Sequence, residues 1–236
     1  LEKWLSEKRN TNVQIVIPQK GDQLKLITMC KNNATQKLLE KLSSSEKTKN
    51  ALEELALMLG MKSIPQYIES YDISHTGGSD NVAGMVVFKD GRPYKKAYRR
   101  FAIKGFSGQD DYASMEEVLR RRFTEYFNNK DSNEEYGFGK LPDLILLDGG
   151  KGHVNAIQQV LDELNVNIPL FGLVKDEKHR TRAIAASGGE IQVNANKKLF
   201  ALLTNIQDEV HRFSLSFQQQ KHKKKTYELE LTKIKG

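Results

Sequence analysis

The sequence predicts an α/β protein built on a mixed five-stranded sheet with helices on both faces. Three β-prone runs, at 67–74, 81–88 and 94–103, follow one another with short connections, which is typical of an antiparallel meander. Two further apolar runs, at 141–148 and 168–174, alternate with helical segments. Strands that alternate with helices are usually parallel and joined by right-handed crossovers. Together the two patterns predict one mixed sheet.

The segment before the first strand is predicted to be a small N-terminal α/β appendage or the end of a preceding region. A short helix opens it, a strand-like run at 13–18 ends in proline, and helical periodicity covers 24–42. The run Ser-Ser-Ser-Glu at 43–46 predicts a hinge and a helix N-cap. A second helix then ends at Gly60.

The elements after the meander complete the predicted topology. A helix from about 110 to 127, a helix over 153–164 and a last helix over 196–218 surround the two apolar strands, and a small hairpin covers 183–193. Three antiparallel strands followed by two parallel ones form the ribonuclease H-like topology, in which the first and fourth strands lie side by side at the centre. The predicted division is an N-terminal appendage, a ribonuclease H-like domain and a basic tether, at 1–45, 46–218 and 219–236.

Composition argues against a membrane protein and a disulfide-rich secreted one. Hydrophobic residues make up 38% and charged residues 28% of the 236 residues. The longest apolar run, at about 168–174, is far shorter than the roughly 18 residues of a membrane-spanning helix, and no secretory signal is visible. Cys30 is the single cysteine, which excludes an internal disulfide and a multi-cysteine zinc site. We expect a cytoplasmic protein without a membrane partner, and the missing initiator Met predicts a piece of a longer chain.

Positive charge is concentrated at the end of the chain. The net charge is +7, and the 26 residues from 211 to 236 hold seven Lys or Arg against two Glu. Such a density favours a polyanionic partner through phosphate neutralisation and release of counterions. A solvated tail is the equally weighted alternative.

Two aspartates stand in strand sequence that is otherwise apolar. Asp72 lies in the first predicted strand and Asp148 ends the fourth. Because those strands are predicted neighbours, both carboxylates can face one spot, where two unpaired charges would repel each other. Mg²⁺ or Mn²⁺ would remove the conflict, since these ions bind carboxylates and complete their shell with water and phosphate oxygens. For Asp72, a buried structural hydrogen bond is the alternative to a metal.

Three other polar residues are candidates for the same site. Asp111 opens the helix after the meander, although an acid there also suits the helix dipole, with Asp110 as the better cap. His211 lies at the edge of the apolar stripe of the last helix, where a packed or solvated histidine is the more common case. His75, in the turn after Asp72, is a candidate to support the ligands or simply to end the strand.

Basic residues near the predicted active edge are candidates for contacts with a nucleic-acid backbone. Lys151 belongs to Gly-Gly-Lys-Gly, which lacks the spacing of a nucleoside-triphosphate loop. Lys175 and Arg180 lie in a basic loop after the fifth predicted strand. Arg121 is the centre of an Arg triplet that we expect to be mainly a solvated helix face with one or two phosphate contacts.

Four motifs, in order along the chain, closely resemble the C-terminal half of the UvrC family, the incision nucleases of bacterial nucleotide excision repair. They are Tyr-Asp-Ile-Ser-His-Thr at 71–76, Asp-Asp-Tyr at 110–112, Leu-Asp-Gly-Gly-Lys-Gly at 147–152 and Gln-Asp-Glu-Val-His-Arg-Phe at 207–213. The resemblance covers nearly the whole chain. His153 departs from it, since a glutamine is expected there.

The resemblance implies a function and a set of residues. Asp72, Asp148 and His211 would form the metal-binding catalytic centre, with Asp111 as a further essential acid. The implied reaction is the incision 5′ to a lesion in double-stranded DNA, dependent on Mg²⁺ or Mn²⁺ and on recruitment by UvrB, mainly through regions outside this chain. The end of the chain resembles a tether toward a helix-hairpin-helix domain.

Two other functions are compatible with the predicted fold. One is a catalytically inactive scaffold that binds DNA, which the filled acid and histidine positions disfavour. The other is a ribonuclease that acts on RNA–DNA hybrids. A panel of substrates distinguishes these functions.

Overall fold

The structure is a computed structural model that describes residues 1–74, 82–103, 110–130, 138–175, 181–193 and 197–231; for residues 40, 42–44 and 217–231 only the backbone is described. The chain divides into two compact units, Leu1–Glu46 and Lys47–Gly236. No helix of the described residues is long and apolar enough to cross a membrane.

The first unit contains little regular structure besides helix. Helix α1 (Glu2–Arg9) ends at Asn10, whose φ of 52° is left-handed, and the Ser6 hydroxyl accepts a hydrogen bond from the Val13 amide at 2.9 Å. The strand expected at 13–18 is absent from this described segment. None of the described side chains of this unit belongs to the buried core, so nothing stabilises a strand pair there.

Helix α2 (Gly21–Met58) runs through the predicted hinge without a break, so that prediction is wrong. A serine costs a helix interior only about half a kcal/mol relative to alanine, and three of them do not end a helix whose later turns are held by packing. Leu52 and Leu55 supply that packing in the second unit. The predicted end is confirmed, because Gly60 takes the left-handed φ of 64°.

The second unit is organised around one mixed sheet. Its strands are β1 (Tyr67–Ser74), β2 (Val82–Lys89), β3 (Arg92–Pro93), β4 (Arg99–Ala102), β5 (Leu144–Asp148), β6 (Leu170–Lys175), β7 (Thr181–Ala186) and β8 (Gly189–Gln192). The order is β3-β2-β1-β5-β6-β7-β8, and β4 also pairs with β2. The pairs β1–β5 and β5–β6 are parallel, and the others are antiparallel. The mixed α/β architecture and the central β1–β5 pair are confirmed.

Within the described residues the sheet has eight strands rather than the predicted five. The first part of the strand expected at 94–103 is a 3₁₀ turn, Lys95–Ala97, so only the short strand β4 remains of it, and the two-residue strand β3 lies before the predicted range. Pro93 cannot donate a ladder hydrogen bond, which suits an edge position. The hairpin at 183–193 joins the sheet as β7 and β8, because it pairs the otherwise open edge of β6.

Three more helices cover the sheet: α3 (Asp111–Asn129), α4 (Lys151–Glu163) and α5 (Lys197–Leu231). Asp110 caps α3, since its carboxylate accepts a hydrogen bond from the Ala113 amide at 3.0 Å. Helix α5 continues to Leu231 instead of ending near 218. Its added sequence is rich in Gln, Lys and Glu, which are good helix formers.

Strand β5 separates two hydrophobic clusters. Ile145 and Leu147 face the cluster that includes side chains of α3 and α4. Leu144 and Leu146 face the other cluster, which includes side chains of α2 and α5. Alternate residues of a strand point to opposite faces, so Asp148 continues the α5 side.

The α3 face of the sheet holds a buried ion pair. Arg122 and Glu69 are both 0% exposed and meet at 2.7 Å. The same guanidinium donates to the backbone carbonyls of Phe138 and Lys140, and the Tyr71 hydroxyl donates to Glu69. The expectation of a solvated Arg triplet is therefore wrong for Arg122, because the adjacent strand carries a carboxylate that the sequence pattern did not connect to it.

Candidate metal centre

Strand register brings the two predicted aspartates together. In the parallel β1–β5 pair, Tyr71 lies opposite Leu147. The residues that follow them are Asp72 on β1 and Asp148 on β5. Asp72 is only 6% exposed, and Asp148 is half-buried. Two carboxylates thus share the α5 side of the central strands, at the end of β5.

A glycine lets α5 lie directly over this pair. Gly84 is the partner of Asp72 across the β1–β2 ladder. A Cβ atom at Gly84 would collide with the Ser214 hydroxyl of α5, and that hydroxyl donates to the backbone carbonyl of Asp72 at 3.3 Å. The close approach carries His211, one turn earlier on α5, to the Asp72 carboxylate.

The histidine completes a group of three potential ligands. His211 Nδ1 lies 3.3 Å from Asp72 Oδ2. Among the residues that the structure describes, Asp72, Asp148 and His211 are the group whose ligand atoms could hold a metal ion, all within 4.8 Å of one another. Opposite ligands of an octahedral Mg²⁺ are about 4.2 Å apart, so a small closure of the side chains would suffice. Two carboxylates and one imidazole suit Mg²⁺ or Mn²⁺.

The electrostatics of the pair favour a cation. Burial, and then repulsion by Asp148, raise the pKa of Asp72 to about 6, while His211 and Lys175 act in the opposite direction. Ionising this carboxyl group therefore costs more than ionising an exposed aspartate. A divalent ion between the two acids would lower that cost.

Two side chains hold the second carboxylate on both of its oxygens. Lys175 Nζ lies 2.6 Å from Asp148 Oδ2. Gln207 donates from Nε2 to Asp148 Oδ1 at 2.8 Å, and its own Oε1 accepts a hydrogen bond from the Thr181 hydroxyl at 2.6 Å. The sequence prediction did not include Gln207. The signal was present, because Gln207 precedes His211 by four residues and so shares its helix face.

The remaining predicted residues take different positions. Asp111 lies in the first turn of α3 and outside the three-ligand group. Lys151 is exposed as the first residue of α4. Arg121 donates to the Ala102 carbonyl at 2.8 Å and pairs with Glu117 at 3.2 Å. His75 and Arg180 lie outside the described residues.

A stack of rings fixes the beginning of α3 against the beginning of α4. The Tyr112 and His153 rings stack with centroids 4.5 Å apart. A Cβ atom at Gly149 would collide with the His153 ring, so the glycine that follows Asp148 is required by this packing. Asp111, next to Tyr112 in sequence, is thus held at the same sheet edge as Asp148.

The sheet order, with two aspartates and one histidine meeting at its centre, defines a ribonuclease H-like domain. A family model described as the UvrC RNAse H endonuclease domain matches residues 56–215, and one described as the UvrC Ribonuclease H-like domain matches residues 1–41. The chain belongs to the UvrC family.

Curated relatives agree with this membership. "UvrABC system protein C" of Caldanaerobacter subterraneus subsp. tengcongensis is 42% identical over 245 residues, which are 100% of this chain and 39% of the relative. The protein of the same name from Clostridium perfringens is 45% identical over 237 residues, which are 96% of this chain and 38% of the relative. The chain spans about two fifths of the length of the curated relatives it matches.

Solved structures with some likeness include endonuclease V proteins. The Ciona intestinalis enzyme, in complex with DNA containing an inosine, matches with a TM-score of 0.36 and 16% identity over 58% of each chain. The Bacillus subtilis protein matches with a TM-score of 0.33 and 13% identity, over 65% of this chain and 82% of that one. Likeness at this level says nothing of function.

Proposed function

We propose that this chain is the catalytic part of a metal-dependent endodeoxyribonuclease that makes the 5′ incision at damaged DNA in nucleotide excision repair, within the UvrABC system. The observation that carries the proposal is the group formed by Asp72 and Asp148 on the central strands and His211 on α5, in a UvrC endonuclease domain. The proposed partners are damaged double-stranded DNA and UvrB, and the proposed compartment is the cytoplasm.

The three residues of the metal centre would hold Mg²⁺ or Mn²⁺. A bound ion would supply an activated water and would stabilise charge on the phosphodiester oxygens. Asp148 is kept in place by Gln207 and Lys175, one on each carboxylate oxygen. The His211 side chain is 51% exposed, so its imidazole can also exchange a proton with a group in solution or on the substrate.

Other residues have proposed roles around this centre. Asp111, held at the same edge, would add a further acid that supports the ion or its water. Lys151, which is exposed at the start of α4, is well placed to contact a backbone phosphate. Lys175 would neutralise Asp148 and the substrate in turn. Arg121 and Arg180 are proposed from the sequence to contact backbone phosphates, and His75 is proposed to support the metal ligands.

The proposal is tested by asparagine at Asp72. In the natural protein that carries this chain, Asp72→Asn is expected to lower the rate of the 5′ incision by at least about 100-fold, because a neutral amide cannot supply the charge a cation needs. The assay is cleavage of an end-labelled duplex with one bulky adduct, in the presence of UvrA, UvrB and Mg²⁺. Asp110→Asn, which keeps the cap of α3, is the matched control and should cut normally.

Incision by Asp72→Asn at the rate of the unchanged protein would refute the proposed role. Failure of the unchanged protein to cut the adduct duplex, together with cleavage of an RNA–DNA hybrid, would favour the ribonuclease instead. Isothermal titration of the 236-residue chain with Mn²⁺ gives a readout that is independent of activity. Asp72→Asn should abolish that binding, whereas Asp110→Asn should leave it unchanged.

A further inference from the structure

An exposed aromatic ring stands at the same edge of the sheet as the metal centre. Tyr112, the second residue of α3, is 47% exposed, whereas Met115, one turn later on that helix, is 1% exposed. A single exposed aromatic is common on protein surfaces, so its meaning depends on how the ring is held and on what lies beside it. The metal centre and the phosphate contacts expected from the sequence do not use this ring.

The ring is fixed from one side. It stacks on His153 of α4, with ring centroids 4.5 Å apart and an angle of 28° between the planes. The Tyr112 hydroxyl lies close to Gly152, where a Cβ atom would come within 2.5 Å of it. His153 is also the residue that departs from the expected glutamine, so this chain has a second ring where an amide is expected. A ring held in this way loses little conformational entropy when a ligand binds its exposed side.

The stack lies close to the metal ligands. Gly149 follows Asp148, and the His153 ring comes within 2.6 Å of the position of a Cβ atom at Gly149. The centre of the Tyr112 ring is therefore at most about 14 Å from the Asp148 Cα atom. One strand of a duplex advances about 3.4 Å per nucleotide, so this span corresponds to about four nucleotides. DNA that is cut at the metal centre can reach the ring.

The surroundings of the ring match a nucleotide. Lys151, which is exposed and precedes Gly152, puts a positive charge beside Tyr112. Every nucleobase has a π face that stacks on an aromatic side chain, and a nearby cation suits the phosphate that joins successive bases. A base inside a duplex is already stacked on its neighbours and has to leave that stack to reach a protein ring. The matching ligand is therefore an unpaired base.

We propose that the Tyr112 ring stacks on an unpaired nucleobase of the DNA, within about four nucleotides of the phosphate that is cut. This inference rests on the proposed function, because it adds a base contact to the DNA surface around the metal centre. Tyr112 is then a positioning residue, which holds a base while Lys151 holds a phosphate. Because stacking tolerates every base, the contact selects DNA that is unpaired beside the cut and not a particular sequence.

Binding by the 236-residue chain in EDTA tests the stack without any chemistry. The probe is a fluorescein-labelled 20-base-pair duplex with a loop of six unpaired adenines in one strand. A second probe has abasic sites in place of these adenines, so it keeps the phosphates and lacks the bases. Anisotropy at 50 mM KCl should show at least about 5-fold tighter binding of the adenine loop, the strength of one stack of a base on an aromatic side chain.

Three variants assign that difference to the ring. Tyr112→Leu should weaken binding of the adenine loop at least about 5-fold, leave the abasic loop within about twofold, and keep the slope of log affinity against log salt, because no charge is lost. Tyr112→Phe should bind as the unchanged chain does, because it keeps the ring. Phe127→Leu is the matched control, since Phe127 is 43% exposed on the same helix, about 22 Å from Tyr112. It should change neither affinity.

Equal affinities of the unchanged chain for the two loops, including binding of neither, would overturn the inference. A loss in Tyr112→Leu that the abasic loop or Phe127→Leu shares would overturn it as well. Thermal melting within about 2 °C of the unchanged chain verifies that each variant is folded, and the comparison of the two loops needs no variant. Because EDTA prevents metal-dependent cleavage, this assay and the incision assay fail separately. Loss of incision with Tyr112-dependent binding retained would refute only the proposed reaction.

Discussion

Gln207 offers the sharpest test of how the metal centre is built. Its amide joins Asp148 to Thr181, with distances of 2.8 Å and 2.6 Å, and its residue is 2% exposed. Replacing it with methionine keeps the length of the side chain and removes both of these hydrogen bonds, together with the longer one, 3.4 Å, that Nε2 donates to the Leu173 carbonyl. The Asp148 carboxylate then loses one of its two restraints, and the Thr181 hydroxyl is left without that acceptor.

The magnitude follows from the lost hydrogen bonds, of which the one to the Asp148 carboxylate is the strongest. A hydrogen bond to a charged group contributes about 1.5 to 3 kcal/mol, and residues that orient metal ligands typically change metal affinity about 10- to 100-fold. Gln207→Met is therefore expected to weaken Mn²⁺ binding by at least about 10-fold and to lower the free energy of unfolding by about 1 to 3 kcal/mol.

Isothermal titration with Mn²⁺ at pH 7.5 measures the first quantity, and urea unfolding in EDTA measures the second. Gln158→Met is the matched control, because Gln158 donates to Asp162 on the exposed face of α4 at 2.8 Å. It should change neither quantity appreciably. Thr181→Val should give a smaller loss of Mn²⁺ affinity than Gln207→Met, since the amide can still reach Asp148. Affinity within twofold of the unchanged chain in a folded Gln207→Met would refute the reasoning.

Three further predictions concern the same fold. Because the pKa of Asp72 is raised to about 6, the protonated carboxyl stabilises the metal-free fold at low pH, and that stabilisation is lost as the pH rises through about 6. Asp72→Asn should therefore raise the free energy of unfolding by up to about 3 kcal/mol at pH 7.5 and have little effect at pH 3.5. Urea unfolding at both pH values checks this. Gly84→Ala should destabilise the chain by about 1 to 3 kcal/mol and weaken Mn²⁺ binding, because a Cβ atom there pushes α5 away. Gly188→Ala should do neither, since a Cβ atom at Gly188 would have nothing within 4 Å. Equal Mn²⁺ affinities of the two variants would contradict this prediction. Arg122→Met should lower the free energy of unfolding by about 3 to 5 kcal/mol, because it leaves the buried Glu69 carboxylate without its partner. The control Arg120→Met, at a partly exposed ion pair, should lower it by at most about 1 kcal/mol. A small loss in Arg122→Met would show that the buried pair contributes little to stability.

Much of the sheet was predictable because its signals are local. Strand β5 is a short apolar run between turn residues, and its burial on both faces follows from Leu144 to Leu147 alone. The cap at Asp110 and the left-handed Gly60 follow from residue chemistry at helix ends. The expected proximity of Asp72, Asp148 and His211 is confirmed by the geometry, while their chemical roles remain proposals.

The wrong predictions share a physical cause. The serines at 43–46 and the end of α5 were judged from local propensity, which is weak beside packing and helix continuation. The hairpin of β7 and β8 was predicted, but its pairing with β6 depends on an edge formed elsewhere in the chain. Arg122 was placed with Arg120 and Arg121, although successive residues of a helix point about 100° apart and so do not share one face.

The sequence by itself determined the class of fold, the family, and which acids and histidine were candidates for one site. Those inferences need only patterns and residue types along the chain. The tertiary structure decided how closely α5 approaches the strands at Gly84, opposite Asp72, and that Gln207 and Lys175 hold the two oxygens of Asp148. These facts depend on strand register and on the position of a helix more than 100 residues away, which no local pattern encodes.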